Sequence, residues 1–248
     1  MKTISFSLWA ALVLVVWFFS IQPVFTQKFK VGMMEIGING GVGITTLQFR
    51  NTDNFPINSD TEYQVSAIPY FNIGGAIKWR INDKFSIIPK LQLSRKGFHI
   101  QSRAYTGGDE LLITIESTDA LYYVNLPVFI YYDTRKIFLG AGVYSGFAIF
   151  GKTNGTQDIY DLATGSSRTD SYKQKIVISG NRADAFWMSR FDFGITGEVG
   201  YKIKGIYYLS AIYEHGFWNV VPQYDFSKSF AYHRSVSLSF AYYFRQKS

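Results

Sequence analysis

The stretch Ser235-Val-Ser-Leu-Ser-Phe-Ala-Tyr-Tyr-Phe244 decides the fold. Side chains of an extended strand alternate between two faces, so Val236, Leu238, Phe240, Tyr242 and Phe244 share one face and Ser235, Ser237, Ser239 and Ala241 the other. One face is apolar and ends in aromatic rings; the other is small and polar. A soluble sandwich would turn the first face inward. A barrel in lipid would turn it outward and line a narrow interior with the second.

Seven further segments carry the same alternation and choose between these. They are Met33–Phe49, Ser66–Ile81, Phe85–Ile100, Leu121–Tyr132, Ile137–Phe150, Ser189–Ile203 and Ile206–Phe217. In Ser189–Ile203, for example, Phe191, Phe193, Ile195, Val199, Tyr201 and Ile203 oppose Asp192, Gly194, Thr196, Glu198, Gly200 and Lys202. The polar faces hold Gly, Ser and Thr together with Glu35, Lys78, Arg80, Lys90, Lys96, Asp192, Glu198 and Glu214. A soluble barrel with this pattern would crowd Phe, Tyr and Trp into an eight-strand interior, which has room for its own side chains or one small ligand. Small and charged residues inside, with aliphatic and aromatic residues outside, fit lipid instead.

The connections have the matching rhythm. Asn82–Lys84, Asp133–Lys136 and Lys202–Gly205 are short polar turns. Between them lie longer segments, Arg50–Val65, Gln101–Ala120, Gly151–Met188 and Asn219–Tyr232, which read as loops. Membrane barrels place short turns on the periplasmic side and long loops outside, and an even strand number leaves both termini in the periplasm. Trp79, Phe85, Tyr131, Tyr132, Tyr201, Tyr207 and Phe244, near strand ends, are expected to form the interfacial girdle.

The N-terminus reads as an address. Lys2 precedes an apolar run of 12 residues, Leu8–Phe19, and a polar boundary at Thr26–Gln27 follows. That is the layout of a secretory signal peptide and is shorter than a spanning helix. The expected organisation is a signal peptide over residues 1–26 and an all-β, eight-stranded antiparallel transmembrane β-barrel over residues 27–248.

Composition removes several function classes. There is no cysteine among the 248 residues, so thiol catalysis, disulfides and Cys-based metal sites are excluded. The net charge of +7 comes from scattered Lys and Arg rather than one basic face, which argues against nucleic acid. Outer-membrane lipid is the expected partner, with phosphate-rich lipopolysaccharide or other envelope and secretion proteins beside it.

Three stretches, Tyr123-Val-Asn-Leu-Pro-Val-Phe-Ile-Tyr-Tyr132, Ile137-Phe-Leu-Gly-Ala-Gly-Val-Tyr-Ser-Gly146 and Phe191-Asp-Phe-Gly-Ile-Thr-Gly-Glu-Val-Gly-Tyr201, resemble the PorT-like outer-membrane β-barrel proteins of Bacteroidetes. The Lys90–Gly97 segment and the aromatic end of the last strand match as well, so the resemblance covers essentially the mature chain. It implies an outer-membrane barrel with a part in envelope transport or secretion. The tail Arg245–Ser248 departs from proteins that end on the aromatic residue itself.

Candidate chemistry is sparse. His99, His215 and His233 lie toward strand ends, and a hydrolase would need one of them between a nucleophile and an acid. Glu214 and His215 are neighbours in a strand and point to opposite faces, so they form no dyad. Asn154, Asp158, Asp161 and Asp170 lack the regular spacing of a calcium loop. The expectation is therefore a protein that is not an enzyme and has no cofactor or metal. Two sets of residues are candidates for other roles. Glu35, Lys78, Arg80, Lys90, Lys96, Asp192, Glu198 and Glu214 form an interior charge network, which either pairs internally or serves as an ion path; a filled eight-strand interior favours pairing. Tyr160, Tyr172, Phe186 and Trp187 are candidates for recognition from the longest connection.

Overall fold

The computed structural model describes residues 34–50, 62–106, 111–178, 187–220 and 230–244. The segment read as a signal peptide lies outside them. The described chain is β-sheet throughout, in eleven strands: β1 (Met34–Arg50), β2 (Glu62–Ser66), β3 (Ile68–Arg80), β4 (Phe85–Thr106), β5 (Leu111–Asp133), β6 (Ile137–Asp161), β7 (Ser167–Ile178), β8 (Trp187–Met188), β9 (Phe191–Ile203), β10 (Tyr207–Gly216) and β11 (Phe230–Phe244). Eight of them pair in a ring, β1–β3–β4–β5–β6–β9–β10–β11 and back to β1. The returning seam is antiparallel and long, running from Ile36 opposite Phe244 to Arg50 opposite Phe230. Every lipid-facing strand thereby has two neighbours, which lipid demands because it offers no hydrogen bonds to an open edge.

The alternation in the sequence is the alternation in burial. Val236, Leu238, Phe240 and Phe244 are exposed on the outside of β11, while Ser235, Ser237, Ser239 and Ala241 are buried. The outer face of the ring carries Ile36, Ile38, Val42, Ile44, Ile73, Leu91, Leu93, Ile130, Leu139, Ile195 and Leu209, all exposed. A soluble protein does not present an aliphatic surface of this extent to water.

The hairpin turns follow local chemistry. Asn82 Oδ1 accepts the amides of Lys84 (2.9 Å) and Phe85 (2.8 Å), closing the β3–β4 turn. Thr134 Oγ1 accepts the Ile137 amide at 3.0 Å between β5 and β6. Lys204 and Gly205, in the three-residue connection between β9 and β10, both have positive φ, 52° and 72°, a left-handed backbone that glycine adopts freely and lysine rarely.

Two readings of the sequence need correction. The segments Gln101–Ala120 and Gly151–Met188 are not loops over most of their length. β4 and β5 stay paired out to Thr106 opposite Leu111, and β5 and β6 out to Leu111 opposite Asp161. At the same end β6 leaves β9 and pairs β7 from Gly151 opposite Ile176 to Tyr160 opposite Ser167, while β2 adds to β4. The stretch Lys152–Tyr160 looks like a loop because it is polar. It is a strand because β5 and β7 satisfy its backbone from both sides. The aromatic residues also differ from expectation. Tyr131 is not in the girdle but inside, 1% exposed, and Tyr70, Tyr123, Phe129, Phe138, Tyr144, Tyr208 and Tyr243 are interior too. The exposed Phe85, Tyr132, Tyr201 and Phe244 do face outward.

Inward glycines make that room. A Cβ on Gly37 would stand 2.7 Å from the Tyr243 ring, and on Gly140 or Gly194 2.6 Å from the rings of Tyr131 or Tyr144. Such approaches are far inside van der Waals contact, so each glycine is a seat for a ring on the neighbouring strand. The glycine-rich face lines a packed interior, not an aqueous one.

Candidate functional site

Among the described residues, four cations and four carboxylates pair off in tiers inside the ring, while a further buried carboxylate, Asp119, lies beyond them toward the long hairpins and accepts from Ser117 at 3.1 Å. Nearest the short turns, Asp133 accepts from Lys78 at 2.8 Å and from Lys202 at 3.1 Å, and Lys78 also donates to the Tyr208 hydroxyl at 2.8 Å. In the middle, Lys90 meets Glu198 at 2.7 Å. Glu198 further accepts from the Tyr131 hydroxyl and, at 2.7 Å, from Ser210. Toward the long hairpins, Lys96 bridges Asp192 and Glu214 at 2.9 Å each. Tyr144 donates to Asp192 at 3.2 Å and Ser235 to Glu214 at 2.9 Å. Removing two charges from water costs several kcal/mol per ion, and only close pairing with filled lone pairs recovers it. Each of the four ion-paired carboxylates has at least two partners.

Aromatic layers separate and cap these tiers. Tyr131 stacks on Phe138 with centroids 4.9 Å apart, Phe138 meets Tyr208 at 5.3 Å, and Tyr208 meets Tyr243 at 4.9 Å. Lys90 lies 4.4 Å from the Phe129 centroid and Lys96 4.1 Å from that of Tyr144, adding cation–π attraction to the ion pairs. At the long-hairpin end Leu47, Phe98, Leu121, Tyr123, Ala148, Ile176, Met188, Val220 and Ala231 form an apolar cluster.

The structure thus brings together six of the eight charged residues named from the sequence, Lys78, Lys90, Lys96, Asp192, Glu198 and Glu214. Glu35 and Arg80 pair separately at 2.7 Å near the short turns, with the Arg80 side chain 46% exposed. Sequence reading missed Asp133, placed in a turn but turned inward to two lysines, and the buried tyrosines that complete the network. The signal was present: Tyr123, Tyr131, Tyr208 and Tyr243 fall in phase with the inward positions of their strands.

The candidate recognition residues separate. Tyr160, exposed, is the penultimate residue of β6, and Tyr172 sits in β7 opposite Gly155, so both belong to the projecting sheet rather than to a loop. Trp187 belongs by its backbone to β8, parallel to β7, and Phe186 lies outside the described residues. The histidines also separate: His99 Nδ1 is 2.9 Å from Thr118 Oγ1, His215 Nδ1 3.1 Å from the Tyr213 hydroxyl, and His233 Nε2 3.2 Å from the Tyr123 hydroxyl. Glu214 is buried inside, engaged by Lys96 and Ser235 rather than by His215. The acidic residues of the hairpins have partners of their own: Asp158 accepts from Thr169 at 2.6 Å, Asp170 pairs with Arg168, and Asp161 caps its turn. No group of three potential metal ligands occurs among the described residues.

An eight-membered antiparallel ring with an aliphatic exterior and a charge-paired interior defines an integral outer-membrane β-barrel protein. The chain belongs to the outer membrane protein beta-barrel domain family, whose model matches residues 25–221. It is similar to the crystal structure of Ail, the attachment invasion locus protein of Yersinia pestis, in complex with the heparin analogue sucrose octasulfate. There the identity is 12%, with 85% of this chain and 99% of that chain covered, at a TM-score of 0.38. Neisserial surface protein A is 12% identical over 84% of this chain and 97% of its own, at a TM-score of 0.36. The outer membrane protein OprG from Pseudomonas aeruginosa is 13% identical over 87% and 99%, at 0.34. No curated protein matches the chain.

Proposed function

We propose that the protein is a non-enzymatic, non-conducting outer-membrane barrel that acts as a structural or accessory component of cell-envelope transport or secretion. The observation that carries this reading is the interior. Lys78, Lys90, Lys96 and Lys202 are matched by Asp133, Asp192, Glu198 and Glu214, and stacked aromatic rings fill the space between them. Ions that cross a membrane need sites that bind weakly and release; partners already locked to one another at hydrogen-bond distance offer none. Function then falls to the projecting sheet of β4–β7, where Tyr160 and Tyr172 stand clear of the ring.

The finer placement, in a PorT-like group with a part in secretion, is supported by the three motif strands Tyr123–Tyr132, Ile137–Gly146 and Phe191–Tyr201. On this reading residues 1–26 direct export and are removed, the short turns and both termini lie in the periplasm, and the long hairpins face outward. Planar-bilayer recording tests the interior directly: the purified barrel is expected to stay silent, and stable unitary conductance would replace this reading with that of a small pore. Crosslinking in native envelopes through a photoreactive residue at Tyr160 tests the sheet. A defined envelope-protein adduct supports the accessory role, and a sheet that crosslinks only to lipid overturns it.

A further inference from the structure

The outer face of the projecting sheet carries cations that form no ion pair with any carboxylate among the described residues. Lys152 on β6 is directly opposite Lys175 on β7, and Lys173, two residues along on the same face, is opposite Asn154. All three lysines are exposed, and none forms an ion pair among the described residues. Like charges directly across a strand pair are destabilising. The nearest carboxylate on that face of β5, Glu116, lies four residues beyond Ala120, the β5 partner of Lys152, and accepts from Gln101 at 2.8 Å.

The position of the row is as informative as its charge. Two residues below Lys152 on the same face, Phe150 stacks on Tyr122 at 4.2 Å, and Phe71 meets Tyr122 edge-on at 6.5 Å. Aromatic rings of this kind mark the level where a membrane barrel leaves hydrocarbon. The next exposed residues below them, Ile149, Phe147 and Leu126, are apolar. The lysines therefore stand where lipid headgroups stand.

We infer that Lys152, Lys173 and Lys175 form a docking site for a phosphomonoester-bearing lipid headgroup in the leaflet at the long-hairpin end. A phosphomonoester carries a charge of about −1.5 to −2 at pH 7 and three acceptor oxygens. It can bridge two facing ammonium groups and relieve their repulsion, which a singly charged phosphodiester does half as well. This inference rests on the barrel lying in the outer membrane and adds a headgroup that it selects.

The test uses the full chain refolded into phosphatidylcholine vesicles containing spin-labelled phosphatidic acid, a phosphomonoester, or spin-labelled phosphatidylglycerol, a phosphodiester. Association of each label with the barrel surface is the readout. Phosphatidic acid is expected to associate several-fold more strongly. Lys152→Gln with Lys175→Gln is expected to weaken it by about fivefold per lysine removed. Lys84→Gln with Lys204→Gln, exposed lysines of the short turns, should leave it unchanged. Equal association of both lipids, an unaffected Lys152/Lys175 variant, an equal loss in the turn variant, or displacement of the label by inorganic phosphate would each overturn the assignment. Failure of the wild-type chain to insert into plain phosphatidylcholine would instead count against the barrel itself.

Discussion

Lys96 is the residue whose removal the interior should tolerate least. Its side chain is 1% exposed, and its ammonium holds Asp192 and Glu214 at 2.9 Å each. Lys96→Met keeps the length and apolar stem but leaves two buried carboxylates without their cation. Tyr144 and Ser235 still donate to them, at 3.2 and 2.9 Å, but neutral donors do not cancel charge. Breaking a buried pair in this way typically costs about 3–5 kcal/mol, whereas replacing the whole charged set by neutral residues of similar shape is often close to neutral. The single variant should therefore lose about 3–5 kcal/mol, and the triple variant Lys96→Met, Asp192→Asn, Glu214→Gln should recover most of it. Reversible urea unfolding in lipid vesicles, followed by tryptophan fluorescence, measures both. An exposed comparison is built in: Arg80→Ala breaks the Glu35 pair, where the arginine side chain is 46% exposed, and should cost less than about 1 kcal/mol. A Lys96→Met cost no greater than that of Arg80→Ala, or a triple variant as unstable as the single one, would refute a buried cation held between two carboxylates.

Other outcomes follow from the packing. Leu238, 64% exposed on the lipid side of β11, should cost about 2–4 kcal/mol on change to Arg in the same unfolding assay. Gly140→Val places a side chain against the Tyr131 ring and should destabilise by about 1–3 kcal/mol, with tyrosine fluorescence reporting the disturbed stack with Phe138. Lys204 has a left-handed φ of 52° that asparagine adopts more readily, so Lys204→Asn should gain up to about 1 kcal/mol. At the tip of the β6–β7 hairpin, the Thr164 amide and hydroxyl, then the Ala163 amide, hold the Asp161 carboxyl below its ordinary range. Its contribution to the turn should be complete above that range and disappear as pH falls through the lowered value. Amide shifts of Ala163 and Thr164 should report this, and Asp161→Asn should abolish the titration.

The period-two alternation made the ring legible, because burial in lipid and burial inside act on opposite faces of the same strand. Val236 to Phe244 already show it, and the short turns at Asn82, Asp133 and Lys204 follow from local side-chain and backbone chemistry. The projecting sheet was not legible for the opposite reason. Lys152–Tyr160 has no apolar face, so its strand character comes from β5 and β7 on either side and not from its own residues. Asp133 was hidden by its place at a strand end, where turn and interior readings coincide. Tyr131 was placed in the girdle because an eight-strand interior looked too narrow for its ring. Gly37, Gly140 and Gly194 are the space that Tyr243, Tyr131 and Tyr144 fill.

The seam tests the account most directly. The chain has no cysteine, so pairs of thiols can be placed in it without background. Val42 on β1 and Leu238 on β11 are direct partners across the seam, and Ala211 on β10 is the partner of Leu238 on the other side. Val42→Cys with Leu238→Cys, treated in native envelopes with a thiol crosslinker about as long as the cross-strand Cβ separation, should crosslink as efficiently as Ala211→Cys with Leu238→Cys. The product should fractionate with the outer membrane. A seam pair that stays uncrosslinked while the β10–β11 pair reacts would contradict a ring of eight strands.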